Sequence, residues 1–171
     1  MSKQQGSRPR RQPHVSDREK NDSRKGATRL QYGALPYRVT KTRDIEFLLV
    51  TSRETGRWII PKGWPIAGLK PAEAAAREAY EEAGVRGVVG NRAIGEYSYK
   101  KELRALGRIV PCKVRVFALL VRRQRRTWPE AHQRRTRWVR PRKAISLITE
   151  EPLRSLIAGF GKRVHARQAH A

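Results

Sequence analysis

Residues 77–85 read Arg-Glu-Ala-Tyr-Glu-Glu-Ala-Gly-Val and carry three carboxylates at helical offsets of three and four. If this segment is helical, Glu78, Glu81 and Glu82 emerge on one face, within about 5–6 Å of each other. On an ordinary solvated helix, each such pair of like charges costs about 0.2–0.5 kcal/mol. Glu81 and Glu82 also precede Gly84, at the helix end where the macrodipole disfavours anions. The pattern therefore favours a divalent-metal site over an acidic solvated face.

Upstream of this acidic segment, the sequence predicts a loop followed by a helix. Prolines and glycines punctuate residues 61–70, and Pro71 suits the first turn of a helix. The predicted helix runs from about Pro71 to Ala83, with small alanines on the side opposite the glutamates. Arg77 lies one turn from both Glu73 and Glu81, so it can pair with either of them.

The stretch from Gly63 to Val85 resembles the sequence box of the Nudix hydrolases. That box reads Gly, five residues, Glu, seven residues, then Arg-Glu-apolar-any-Glu-Glu-any-Gly-apolar, and it fits here in register. One position departs, because Leu69 stands where the family has Glu. The resemblance implies that this departure affects the support of the loop more than catalysis, with Glu73 as a substitute partner for Arg77. Flanking runs are similar to the diphosphoinositol polyphosphate and diadenosine polyphosphate phosphohydrolase branch: residues 47–53, 57–63, 128–130 and 137–139.

The order of predicted elements indicates the fold class. Strands are predicted at 31–37, 46–51, 58–60, 85–89, 92–100, 109–121 and 136–139, and helices at 71–83, 143–148 and 151–159. Strands alternating around a central helix predict an α/β protein, an α/β/α sandwich with a mixed β-sheet. The resemblance implies the same Nudix-type architecture.

The domain organisation follows from length and composition. A chain of 171 residues suits one domain. Residues 1–28 are rich in Ser, Gln, Pro, Arg and Lys and predict a disordered basic N-terminal arm. Residues 29–160 form the predicted Nudix hydrolase domain. Residues 161–171 are interpreted as a frayed, basic C-terminal tail.

The net charge of +24 and the pI near 11.5 predict polyanionic partners, either polyphosphorylated small molecules or RNA. The alternative is a general arginine bias with no specific partner. The single cysteine, Cys112, lies in an alternating strand pattern and is interpreted as a buried structural thiol in a reducing compartment. No apolar run approaches the ~20 residues of a membrane span, and no signal-peptide core is present at the N-terminus. We therefore expect a cytoplasmic protein without a membrane partner; the sequence carries no prediction of oligomeric state.

The expected chemistry assigns roles to the acidic segment. Hydrolysis of a phosphoanhydride needs a hard cation such as Mg²⁺, which prefers oxygen ligands. Glu78 and Glu82 are the best candidate ligands by their one-turn spacing, and Glu81 is either a third ligand or the base. The resemblance adds the carbonyl of Lys62 as a ligand, makes Glu81 the preferred general base beside Arg77, and leaves Mn²⁺ as an alternative cofactor.

Substrate phosphates require basic and polar groups around the metal. By position against the resembled branch, the candidates are Ser52, Arg53, Lys100, Lys101, Arg135, Arg29 and Gln31. Trp58 and Trp138 are interpreted as core residues rather than stacking platforms for a base. Glu130 could contribute a further carboxylate, or it could simply be solvated.

The function implied by the resemblance is a Mg²⁺-dependent Nudix phosphohydrolase that cleaves a phosphoanhydride in a highly anionic substrate. The expected substrate is a diphosphoinositol polyphosphate or a dinucleoside polyphosphate. Two alternatives stay open, an RNA 5′-pyrophosphohydrolase and a basic RNA-binding protein that keeps the fold without turnover.

Overall fold

The computed structural model describes residues 27–103 and 107–169 of the chain. Residues 1–26 of the predicted basic arm lie outside these ranges. The described residues form one seven-stranded sheet and three helices. The strands are β1 (Arg29–Val39), β2 (Ile45–Thr51), β3 (Trp58–Ile59), β4 (Lys62–Gly63), β5 (Val85–Leu103), β6 (Arg108–Gln124) and β7 (Thr136–Val139). The helices are α1 (Pro71–Ala83), α2 (Pro141–Leu147) and α3 (Glu151–Ala169).

The sheet is mixed. Its main path is β3-β2-β1-β6-β5, with β4 paired to β1 and β7 paired to β2. Strands β1 and β6 run parallel, and the other described pairings are antiparallel. Because β4 pairs with the first half of β1, with Lys62 opposite Gly33, the loop before α1 is held against the centre of the sheet.

Each face of the sheet is covered by helices. The buried alanines of α1 pack against one face, where Leu48, Val50, Phe117 and Leu119 meet them. The other face, with Phe47, Val114 and Val116, packs against α2 and α3. Strand alternation explains the division, because residues two apart point to the same side of a strand. The α/β/α sandwich with a mixed sheet is confirmed.

The main differences from the sequence prediction concern three elements. Strand β4 lies in the segment predicted as a loop, where it pairs with β1. The strands predicted at 85–89 and 92–100 are one strand, β5, because register shifts against β6 absorb the intervening residues. Helix α3 continues to Ala169, so most of the predicted frayed tail is helical. Gly159 and Gly161 lie inside the helix and disfavour it locally, but Val164 packs against the core and holds the following turns in place.

The interpretations of Trp58, Trp138 and Cys112 as core residues agree with the structure. Trp58 and Trp138 are half-buried and pack against the two core layers. Cys112 is fully buried, and its thiol donates to the carbonyl of Val110 at 3.7 Å. In the described part of the chain, no helix has the length and apolar character needed to cross a bilayer.

Candidate active site

The C-terminal end of α1 is fixed by the segment that follows β6. Gly84 ends the helix with φ 70°, and its N–H donates to the carbonyl of Tyr80. A Cβ at Gly84 would meet the Trp128 ring at 2.8 Å, so glycine is needed for both reasons. Four donors from the segment satisfy the last carbonyls of the helix: Gln124 to Ala83, Trp128 to Glu82, Arg125 to Gly84 and Glu130 to Glu81. These donors offset the negative helix end beside the two glutamates.

Glu78 is half-buried, and its carboxylate lies directly over the backbone of Gly63. A Cβ at Gly63 would overlap this carboxylate, so the box glycine makes room for the acid. Burial, together with the nearby charges of Glu82 and Glu81, raises the pKa of Glu78 to about 7. Within residues 27–103 and 107–169, the Glu78 carboxylate has neither a hydrogen bond nor an ion pair.

Glu82 is only 5% exposed and is the most deeply buried acid of the box. Its Oε1 lies 2.6 Å from Nη2 of Arg134, and its Oε2 accepts from the backbone N–H of Lys62 at 3.4 Å. Burial raises the pKa of Glu82 to about 7, although Arg134 and Lys62 act in the opposite direction. Glu78 and Glu82 are therefore two neighbouring carboxyl groups whose charged forms are disfavoured without a further cation.

Glu81 and Arg77 form an ion pair at 2.5 Å on the exposed side of the helix. Of the two partners that the sequence offered Arg77, Glu81 is the one it contacts. Glu73 instead accepts from the backbone N–H of Lys70 at 2.8 Å and caps the start of α1. Leu69 brings no carboxylate to this region, so Arg77 takes the remaining acid one turn away.

The three box carboxylates do not converge as the sequence suggested. In the described part of the chain, no three Asp, Glu, His or Cys side chains lie close enough to hold one cation together. The reason is that Arg77 holds Glu81 and Arg134 holds Glu82. Glu78 and Glu82 nevertheless fit a hard divalent cation, since carboxylate oxygens are its preferred ligands and Glu78 has no competing partner.

Arg134 was not among the residues expected from the sequence, whereas its neighbour Arg135 was. The Arg134 side chain is 6% exposed and contacts Glu82, Glu130 and the carbonyl of Thr51. The four-residue spacing of Glu130 and Arg134 was a visible signal for a pair. No sequence signal joined Arg134 to Glu82, which lies 52 positions away. Glu130 is thus half-buried and paired rather than solvated.

Lys62 enters the site through its side chain as well as its backbone. Its ammonium lies 5.0 Å from the centre of the Tyr99 ring. Burial lowers the pKa of Lys62 to about 8, while the charges of Glu82 and Glu150 raise it. Glu150 was also missed; it is half-buried just before α3 and lies 3.8 Å from Nη1 of Arg57.

The predicted substrate residues fall into two groups. In the first, Arg29 and Lys101 lie over Trp64, at 4.2 and 4.8 Å from its ring. Lys101 also lowers the pKa of Lys62, which places its charge near that ammonium group. Gln31 is buried, and its side-chain oxygen accepts from the Tyr99 hydroxyl at 2.6 Å. The first group therefore gathers at two aromatic rings, Trp64 and Tyr99, and Tyr99 also lies beside Lys62.

The second group is scattered: three of its members lie at or beside the end of β2, and Lys100 lies on β5. Arg53 is exposed and lies 3.9 Å from Glu130. The Ser52 hydroxyl is engaged within its own turn, by Thr55 and by the N–H of Arg57. Arg135 packs near Trp58, at 5.9 Å. Lys100 is exposed on β5 beside Lys101, so strand alternation sends the two lysines to opposite faces.

The comparisons with known proteins point to one family. The model of the NUDIX domain matches residues 29–159. Nudix hydrolase 16, mitochondrial, of Arabidopsis thaliana is 32% identical over 149 residues, which are 79% of this chain and 81% of the relative. Diphosphoinositol polyphosphate phosphohydrolase 3-alpha of Mus musculus is 33% identical over 109 residues, 62% of each chain.

A similar fold is found among solved structures. The Ap4A hydrolase of C. elegans superposes with a TM-score of 0.59 and 22% identity, over 81% of this chain and 99% of that chain. At this identity, the likeness concerns the fold alone.

Proposed function

The chain belongs to the Nudix hydrolase family, and from that premise we propose that it is a Mg²⁺-dependent phosphohydrolase that cleaves a phosphoanhydride in a highly anionic substrate. The observation that carries the proposal is the pair Glu78 and Glu82, two buried or half-buried carboxyl groups one turn apart beside Gly63. Two such neighbours are unfavourable in a folded chain unless a cation joins them.

Glu78 and Glu82 would hold the cation, and the resemblance adds the carbonyl of Lys62. The bound cation would neutralise the anhydride oxygens and acidify an attacking water. Glu81 is our candidate for the general base that receives the proton of this water on its carboxylate. Its ion pair with Arg77 holds the carboxylate in one place before the substrate binds. Mn²⁺ is the alternative cation.

The substrate class is proposed from charge and from one relative. Lys62 interacts electrostatically with Glu82, and Lys101 lies near Lys62. Arg53 lies 3.9 Å from Glu130, and Arg29 lies over Trp64. Such groups suit a substrate with many phosphates. The 33% identity to a protein named as a diphosphoinositol polyphosphate phosphohydrolase favours that substrate class, with dinucleoside polyphosphates next. The net charge of +24 favours RNA 5′ ends as a second candidate, and RNA contact through the basic surface.

A substrate panel tests the proposal. Phosphate and pyrophosphate release would be measured with a diphosphoinositol pentakisphosphate, diadenosine tetraphosphate and a 5′-triphosphorylated RNA, in Mg²⁺, in Mn²⁺ and in EDTA. We expect turnover that needs the cation and is fastest with the inositol compound. Fastest turnover of the RNA end would select the second candidate, and no turnover of any compound would contradict the proposal.

The variant Glu82→Gln tests the assignment of the metal ligand. We expect a loss of at least about two decades in kcat, as for other principal electrostatic groups, in a protein that stays folded. Glu151→Gln is the matched control, because Glu151 is exposed and its contacts with Arg154 and Ser155 lie on the surface. Near wild-type turnover in Glu82→Gln would exclude Glu82 as a ligand.

The cytoplasmic location expected from the sequence stays a prediction. Fractionation of cells that express the tagged full chain would test it.

A further inference from the structure

We infer that Arg134 is a positioning residue for Glu82, which it holds so that one carboxylate oxygen is left for the metal. The inference rests on the proposed function, because it assumes that Glu82 is a metal ligand. It concerns a side chain that the box does not contain, 52 positions away from the acid.

The guanidinium of Arg134 has three acceptors, one for each of its three nitrogen atoms. Nη2 lies 2.6 Å from Oε1 of Glu82, Nε lies 2.5 Å from Oε2 of Glu130, and Nη1 donates to the carbonyl of Thr51 at 2.9 Å. The side chain is 6% exposed, so water screens these contacts weakly. A planar fork with three occupied edges has little freedom to rotate.

Arg134 is also linked to α1 indirectly, through Glu130. Glu130 accepts from Arg134, and the Glu130 backbone N–H donates to the carbonyl of Glu81 at 3.0 Å. The carbonyl of Thr51 adds the end of β2 as a third anchor. Arg134 therefore links three segments: the end of α1, the end of β2 and its own loop.

This arrangement divides the two oxygens of Glu82 between two tasks. Oε1 is committed to Arg134 at 2.6 Å, whereas Oε2 makes only a long contact of 3.4 Å with the N–H of Lys62. Lys62 and Gly63 form β4, and the Glu78 carboxylate lies over Gly63. The weakly held oxygen of Glu82 thus faces β4, the strand over which the Glu78 carboxylate lies. Without Arg134, only the weak contact would orient the carboxylate.

The test compares Arg134→Met, Arg134→Lys and Glu130→Gln with wild type. Mn²⁺ affinity would be measured from the EPR signal of free Mn²⁺, and kcat and KM with the best substrate of the panel. We expect Arg134→Met to lose about 10–100-fold in Mn²⁺ affinity and in kcat, as when a partner of a ligand is removed, with little change in KM. Lysine should rescue part of the loss, because an ammonium can reach only some of the three acceptors. Glu130→Gln should give a smaller loss in the same direction.

Arg140→Met is the matched control, since Arg140 is exposed and pairs with Asp44 at 2.8 Å on the surface. It should leave Mn²⁺ affinity and kcat unchanged. Arg134→Met should also have no further effect on Mn²⁺ affinity in a Glu82→Gln background, because the proposed action passes through Glu82.

Wild-type Mn²⁺ affinity in folded Arg134→Met would overturn the inference. So would an equal loss with and without Glu82. If Arg134→Met does not fold, unchanged Mn²⁺ affinity in both folded Arg134→Lys and Glu130→Gln would overturn it. Wild-type protein that binds no Mn²⁺ would overturn the proposed function together with the inference, whereas normal wild-type binding with an unaltered arginine variant would overturn the inference alone.

Discussion

At the scale of single residues, the candidate site depends on a close approach that only glycine permits. The carboxylate of Glu78 occupies the space that a side chain at Gly63 would fill. Gly63 is therefore required by the acid above it, whatever its own backbone freedom. The packing of this chain thus explains why the family pattern has glycine at this position.

Gly63→Ala should move the Glu78 carboxylate away from β4 and weaken metal binding. We expect a loss of at least about tenfold in Mn²⁺ affinity and in kcat, within the range found when the surroundings of a ligand are disturbed. Gly159→Ala is the control, because its Cβ would meet only Nη1 of Arg163 at an ordinary 3.6 Å. The control should keep full activity and gain about 0.5–1 kcal/mol in stability. Unchanged metal affinity in Gly63→Ala would contradict the placement of Glu78.

Leu69→Glu tests the Arg77–Glu81 ion pair. A carboxylate at position 69 would compete for Arg77, which now contacts Glu81 at 2.5 Å. If position 69 only supports the loop, kcat/KM should change by less than about tenfold, or roughly 1.4 kcal/mol. A gain of several decades would show that the pair with Arg77 withholds Glu81 from catalysis. Steady-state kinetics on the best substrate decide between these outcomes.

At the scale of elements, α1 is useful because both of its ends are fixed. Lys70 and Glu73 cap the start, and the segment from Gln124 to Glu130 satisfies the carbonyls at the end. A helix end that carries two acids and the negative pole of the macrodipole would otherwise be a weak point. The segment after β6 thus stabilises the part of α1 that carries Glu82.

Gly84→Ala should destabilise the protein for two separable reasons. Gly84 has φ 70°, and its Cβ would meet Trp128 at 2.8 Å. Gly56 has φ 65° with open space around it, so Gly56→Ala reports the backbone cost alone, about 1–2 kcal/mol. Gly84→Ala should exceed that loss by about 1–3 kcal/mol, the usual cost of overpacking. Equal losses of unfolding free energy in urea for the two variants would mean that the Trp128 ring moves aside without destabilising the protein.

At the scale of the whole molecule, the acids are matched to a large excess of arginine and lysine. Among the described residues, every buried or half-buried acid except Glu78 has an ion-pair partner. In a chain of net charge +24, a half-buried carboxylate without a partner is unexpected unless another cation takes that place. The charge distribution therefore supports the metal assignment independently of the box.

The stability of the metal-free protein should depend on pH through this pair. The pKa of Glu78 and of Glu82 is raised from 4.5 to about 7 in the folded state. Between these values the folded chain binds more protons than the unfolded chain, so the free energy of unfolding falls as pH rises through this window. The contribution is fully present below about pH 4.5 and is lost above about pH 7.

Urea unfolding in EDTA at pH 5 and pH 7.5 would measure this loss. The double variant Glu78→Gln/Glu82→Gln should lose less stability between the two pH values, because the same surface charges remain in both proteins. Mg²⁺ should restore stability to wild type at pH 7.5 by binding only the folded state. Equal pH dependence in both proteins would show that the two acids are not the cause.

The sequence by itself determined the features that depend on near neighbours. The bounds of α1 and β7 agree with the prediction, since Pro71, Gly84 and strand alternation act within a few residues. The one-turn spacing of Glu78 and Glu82 was readable for the same reason. The α/β/α layers followed from the order of the elements.

Only the tertiary structure decided which charges meet. Arg134 rather than Arg135 reached Glu82, across 52 positions of the sequence. A sequence with 39 arginines and lysines offers every acid many partners at equal chemical cost. The path of the chain selects among them, because a buried ion pair forms only where packing brings both groups together and excludes water.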